Sequence, residues 1–235
     1  MSSTGCKESS WREGRVDLGR RRTLLGITAC ATTGLAATDA LAQAAACVLT
    51  PNPGEGPFYF DPALVRSDII DGSPGAPLDI SLQITRAADC AVLANARVDV
   101  WQADGLGLYS GYANQRGVGV PAESAIGKSH LRGTQFTDAD GWVRFRTIFP
   151  SWYGGRTPHV HFKVLLGDRE AVASQVFFSD DVSRDVFARF APYRDHADRR
   201  TVFNGNDPLF DGVLSDVERS DDSGVVASAV VAIDT

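Results

Sequence analysis

The chain has 235 residues, with 23 Lys+Arg against 29 Asp+Glu and a formal net charge of −6. So acidic a chain excludes nucleic acid as a partner, because binding phosphates requires a surplus of cations. With 43% hydrophobic residues, its composition is that of a globular chain with a sizeable core, not a disordered or fibrous one.

Residues 1–42 read as a separate unit. Arg20-Arg21-Arg22 precede Thr23-Leu24-Leu25-Gly26-Ile27, a run of small apolar residues follows, and Ala40-Leu41-Ala42 closes it. A basic stretch, a short apolar run and an A-x-A site form a secretory leader, and the paired arginines point to the twin-arginine route. A membrane anchor is the weaker reading, since the run is too short and too rich in Ala, Thr and Gly to cross about 30 Å of hydrocarbon. Cleavage after Ala42 leaves residues 43–235 as one exported domain, periplasmic or extracellular, with no membrane attachment and 17 Lys+Arg against 25 Asp+Glu. Cys6 and Cys30 leave with the leader. Cys47 and Cys90 remain where thiols oxidise, so a Cys47–Cys90 disulfide is expected, stabilising by about 4 kcal/mol in the chain-entropy view. The alternative is a lipid on Cys47.

Further along, alternating or β-branched runs at 78–84, 96–102, 142–148, 159–166, 173–178 and 225–233 predict strands, divided by Gly-, Pro- and Asp-rich connections. Helical periodicity is confined to one short amphipathic stretch at 181–190. Hairpins rather than crossover helices must therefore build the sheets, and the predicted fold is all-β, an antiparallel β-sandwich. Two connections, 103–141 and 149–158, are long for a compact domain, which marks them as site-forming loops. Residues 220–224 read as a polar turn before the last strand.

Chemistry concentrates at Tyr153-Gly154-Gly155-Arg156-Thr157-Pro158-His159-Val160-His161-Phe162. His159 and His161 sit two apart on a predicted strand, so both imidazoles share one face and form half of a transition-metal site. Carboxylates nearby are few. Of the five tyrosines, Tyr59, Tyr109, Tyr112, Tyr153 and Tyr193, three lie in or beside the long loops. A phenol ionises near pH ~10 when free, so phenolate ligation demands a strongly Lewis-acidic ion, and ferric iron is the natural match.

These residues belong to a longer series. Glu55-Gly56-Pro57-Phe58-Tyr59, Val98-Asp99-Val100-Trp101-Gln102 leading to Gly107-Leu108-Tyr109, Arg132-Gly133-Thr134, Gly141-Trp142-Val143, then Tyr153, Arg156, His159, His161 and Gln175 occur in the order found in one group of enzymes. In this series, spanning residues 47–211, the chain resembles the intradiol ring-cleavage dioxygenases, the non-haem ferric family of catechol and protocatechuate dioxygenases. The resemblance implies one Fe(III) held by Tyr109, Tyr153, His159 and His161, with Tyr153 the displaceable ligand. It implies that Arg156 stabilises negative charge developing on the substrate ring, that Gln175 supports Arg156, and that Pro57 and Phe58 line the substrate pocket. The implied reaction splits a catechol-type ring between its hydroxylated carbons with O2, giving a cis,cis-muconate-type diacid. Trp101 and Trp142 are expected in the core, and Tyr112 is passed over as a ligand in favour of Tyr109. Other readings are a non-catalytic periplasmic sandwich that binds metal or a phenolic ligand, and a copper or zinc site using the histidines alone. The pattern names neither one particular catechol nor an oligomeric state.

Overall fold

The computed structural model describes residues 48–235 apart from 62, 120, 122 and 123. The expected leader and Cys47 lie outside the described residues; Cys90 stands in the turn after the first strand at φ 60°. Among the described residues no helix is long and apolar enough to cross a membrane.

Among the described residues nine strands form two sheets. They are β1 (Pro77–Arg86), β2 (Arg97–Gln102), β3 (Arg132–Phe136), β4 (Trp142–Ile148), β5 (His159–Leu166), β6 (Arg169–Phe177), β7 (Val213–Leu214), β8 (Asp216–Asp221) and β9 (Gly224–Ile233). One sheet runs β4-β1-β9-β8 and the other β3-β2-β5-β6-β7. Most neighbours are antiparallel, as expected, but β1 pairs with β9 and β6 with β7 in parallel. The one α-helix among the described residues, α1 (Asp180–Arg189), starts where the Ser179 side chain accepts from the Val182 N–H and Asp180 and Asp181 meet the helix dipole.

Alternation along the strands builds the core. Leu78, Ile80, Leu82 and Ile84 of β1, with Val143, Phe145 and Val231, face Val98, Val100, Val160, Phe162 and Val164 of the other sheet. The opposite face of the five-stranded sheet carries different chemistry. Cross-strand register sets Arg132 beside Trp101, Trp101 beside His161, and His161 beside Gln175, so one row of side chains crosses four strands. The next row holds Thr134, Asp99 and Lys163. All seven are buried, since loops cover this face too.

The cover is tied down by hydrogen bonds. Residues 50–60 cross the sheet through Gly54 N–H to the Ala173 carbonyl (3.1 Å), a Lys163–Glu55 ion pair, and the Tyr59 hydroxyl on Asp99 (2.9 Å). In the 103–131 connection the Asp104 carboxylate accepts from the N–H groups of Leu106 (2.8 Å) and Leu108 (2.9 Å), which shapes the approach to Tyr109. Gly107 has φ +80°, and a Cβ there would sit 2.6 Å from the Trp152 carbonyl, so only glycine lets the two site-forming loops meet.

Candidate metal centre

His159 and His161 project from the start of β5, and each is 1% exposed. The Thr157 carbonyl can only accept, so His159 Nδ1–H donates to it at 2.7 Å and Nε2 is left as a bare lone pair. That atom lies 3.0 Å from His161 Nε2 and 3.4 Å from the Tyr153 hydroxyl. Tyr109 completes the group, its ring 5.2 Å from Tyr153 and 6.0 Å from His161. The structure thus brings together the four side chains expected to be ligands.

Their surroundings are aromatic. Phe58 stacks on Tyr109 at 4.3 Å and meets Tyr153 edge-on, while Pro57 beside it is exposed. Trp101 stacks on His161 at 4.9 Å and 9°. Trp101 is buried as expected, in a second apolar cluster with Ala103 and Tyr109 that abuts the site, whereas Trp142 is only half-buried, with Arg144 over its ring. Tyr112 is committed elsewhere, donating its hydroxyl to the Tyr59 carbonyl (2.9 Å).

Burial decides the protonation states. It holds His159 down at about 3, helped by the Arg156 charge, and holds His161 well below the usual imidazole range, helped by His159. Both rings are neutral and offer lone pairs. Burial also pushes both phenols up, Tyr109 further through its neighbour Tyr153, while Arg156 pulls both back. The Tyr109 hydroxyl and His161 Nδ1 are buried with no hydrogen-bond partner among the described residues. A phenol oxygen left unsatisfied beside converging imidazole nitrogens is costly in itself, and a cation at that point would satisfy it and favour the phenolate. Among the described residues no three His, Cys, Asp or Glu side chains gather at one point, so a four-donor set has to use the tyrosines. The residues present fit a hard, highly charged metal ion.

Tyr109 and Tyr153 are held differently. Tyr109 is 0% exposed, and Gln115 grips its backbone at both N–H (2.8 Å) and carbonyl (2.5 Å). Tyr153 is half-buried at the head of a turn closed by Arg156 N–H on its carbonyl (2.6 Å), through Gly154 and Gly155 at positive φ.

Arg156 donates through Nε to Asp207 at 2.9 and 3.0 Å and through Nη2 to the Gln175 carbonyl oxygen. The expected Arg156–Gln175 partnership is thus present, while Asp207 carried no sequence signal, lying in a loop remote from Arg156 in the chain. At the other end of the row Arg132 is 1% exposed, holds the Ser110 hydroxyl (2.9 Å) and carbonyl (2.8 Å), and is pulled down to about 10 by burial.

Residues 55–191 match the sequence model of the family described as Dioxygenase. The chain belongs to the intradiol ring-cleavage dioxygenases. The whole fold is similar to the intradiol ring-cleavage dioxygenase from Tetranychus urticae, with a TM-score of 0.72 and 29% identity over 80% of this chain and 95% of that one. It is also similar to the dioxygenase domain of a dioxygenase and carbohydrate-binding protein fusion from Streptomyces sp. SirexAA-E, with a TM-score of 0.59 and 28% identity over 80% of this chain and 99% of that one. Among curated sequences, chlorocatechol 1,2-dioxygenase from Cupriavidus pinatubonensis is 31% identical over 145 residues, 53% of this chain and 52% of that protein. The chain spans about half the length of the curated relatives it matches. The family match contains the four converging side chains, Arg156 and Gln175, and ends before Asp207.

Proposed function

We propose that this dioxygenase binds one ferric ion through Tyr109, Tyr153, His159 and His161 and cleaves a catecholic ring between its two hydroxylated carbons, with both atoms of O2 entering a cis,cis-muconate-type diacid. One observation carries the reading: the buried Tyr109, the half-buried Tyr153 and two neutral imidazoles converge at one point, with the Tyr109 hydroxyl otherwise unsatisfied. Fe(III) is the ion this family uses, and when bound it supplies a Lewis acid that favours phenolate and catecholate.

The chain's own residues divide the work. His159 and His161 hold fixed lone pairs, one oriented by Thr157 and the other by the Trp101 ring. Tyr109 stays in place under Phe58. Tyr153, half-buried on a glycine turn, is the phenol free to move, and its Oη can accept one of the two protons an incoming catechol releases. Arg156 presents a fixed cation beside the ring, where charge developing on carbon is stabilised without reorganisation. Phe58 keeps water out. The same reading takes residues 1–42 as a twin-arginine leader and Cys47–Cys90 as a disulfide, which places the reaction outside the cytoplasm.

The test is spectroscopic. Iron-loaded protein should absorb visible light through its tyrosinates, the band should shift when catechol is added without oxygen, and admitting oxygen should consume one O2 per catechol. A colourless iron-loaded chain ends the ligand assignment. Colour and a catechol shift without oxygen uptake would make it a binding protein.

A further inference from the structure

Asp207 lies in the loop after the short 3-10 turn Asn204–Asn206, beyond the family-matched residues, and its side chain is 0% exposed. One carboxylate there serves three donors. Arg156 Nε reaches both of its oxygens at 2.9 and 3.0 Å, Thr157 N–H reaches Oδ2 at 2.9 Å, and Leu209 N–H reaches Oδ1 at 2.9 Å. Thr157 is the residue whose carbonyl orients His159. The same segment grips Thr157 again, its hydroxyl donating to Asn204 Oδ1 (2.9 Å) and accepting from Arg200 (3.1 Å).

Arg156 is thereby held on two sides. Asp207 takes the Nε edge and Gln175 takes Nη2, and the guanidinium lies close enough to the Tyr153 hydroxyl to pull that phenol's pKa down. A guanidinium 11% exposed has little water to orient it, so the direction of its remaining donors is set by these two partners. Gln175 alone would leave the planar group free to pivot about one hydrogen bond. The second, charged anchor removes that freedom.

We propose that Asp207 is a positioning residue for ring cleavage: it orients Arg156 toward the substrate ring and ties that orientation to the backbone that aims His159. The inference rests on the function proposed above. It predicts an effect on the chemical step rather than on catechol capture, because the residue acts through Arg156 and touches no substrate.

A double-substitution cycle on the iron-loaded full chain tests it. Asp207→Asn keeps the shape and removes the charge; kcat should fall about tenfold while KM for catechol stays within about twofold. Arg156→Ala should lower kcat about a hundredfold, and adding Asp207→Asn to it should cost less than about twofold more, since an anchor has nothing left to hold. Stability should be coupled in the same sense, because Arg156→Ala strands a buried carboxylate that Asp207→Asn then neutralises, raising the melting temperature of the double variant above that of Arg156→Ala. Losses in kcat that multiply, or an Asp207→Asn chain with unchanged kcat, overturn the proposal. Should Asp207→Asn fail to fold, Asp207→Glu takes its place: a kcat loss without a KM change supports positioning, and an unchanged kcat overturns it. Absence of oxygen uptake by the unaltered chain with any catechol removes the functional reading and this inference together, whereas uptake with multiplicative losses removes this inference alone.

Discussion

The two faces of the five-stranded sheet use the same strands and reach the same burial with opposite chemistry. Inward, Val98, Val100, Val160, Phe162 and Val164 need only volume and shape to contribute. Outward, Asp99, Trp101, His161, Lys163 and Gln175 are as deeply covered, yet most of their polar atoms require a named partner. Asp99 shows how that is done, accepting from Tyr59 (2.9 Å), Arg97 (2.9 Å) and Thr134 (2.6 Å). The exceptions on this side include the Tyr109 hydroxyl and His161 Nδ1 at the candidate metal centre, and Trp101 Nε1 and Arg132 Nη1 along the same row. A buried polar face is stable where it is satisfied and chemically poised where it is not.

Substitutions on the two faces should separate fold from chemistry. The largest effect is expected outward: His161→Ala or Tyr109→Phe should lower iron content or weaken and shift the visible band, and should lower oxygen uptake more than about a hundredfold, with the metal-free chain still folded by circular dichroism. Full iron content with full uptake in either variant would remove that residue from the ligand set. Inward, Phe162→Ala should leave the residual folded protein coloured but cost about 3–5 kcal/mol in chemical denaturation. A loss below about 1 kcal/mol would mean the two faces do not differ as described.

The metal-free chain should also become less stable in acid. His159 and His161 are held below their ordinary value of 6.5, so the unfolded chain takes up protons that the folded chain refuses. Their stabilising contribution is complete above pH 6.5 and is lost as pH falls below it, down to about 3 for His159, by at most about 1.4 kcal/mol per pH unit for each histidine. Urea titrations of the metal-free chain at pH 7 and pH 5 measure it, and a flat profile would show that the imidazoles are not buried without metal. The smallest effect is at the cover: Tyr59→Phe removes one of the hydrogen bonds to Asp99 and should cost about 1 kcal/mol, with iron binding unchanged.

Much of this was legible along the chain. β4 and β5 occupy residues 142–148 and 159–166 as their patterns predict, and α1 is displaced by one residue from 181–190. Strand alternation and a two-residue spacing named His159 and His161, because they act within a few residues of one another, while Tyr109, Tyr153, Arg156 and Gln175 were named by the resemblance to the family. β3 was not legible. Arg132-Gly133-Thr134-Gln135-Phe136 shows no apolar alternation, since its outer face is polar and buried under loops. β8 at Asp216–Asp221 is a largely polar edge strand and was equally silent.

By itself, then, the sequence determined the all-β class and the paired histidines, which follow from residue type and short-range periodicity, while the family and the full donor set follow from the order of its motifs. Only the tertiary structure decided that β1 and β9 run parallel, that Trp101 stacks on His161 within the smaller apolar cluster, and that Asp207 reaches Arg156. Those are meetings between distant segments. They are chosen by backbone pairing and by the need to satisfy each buried polar group, and no local window of residues records either.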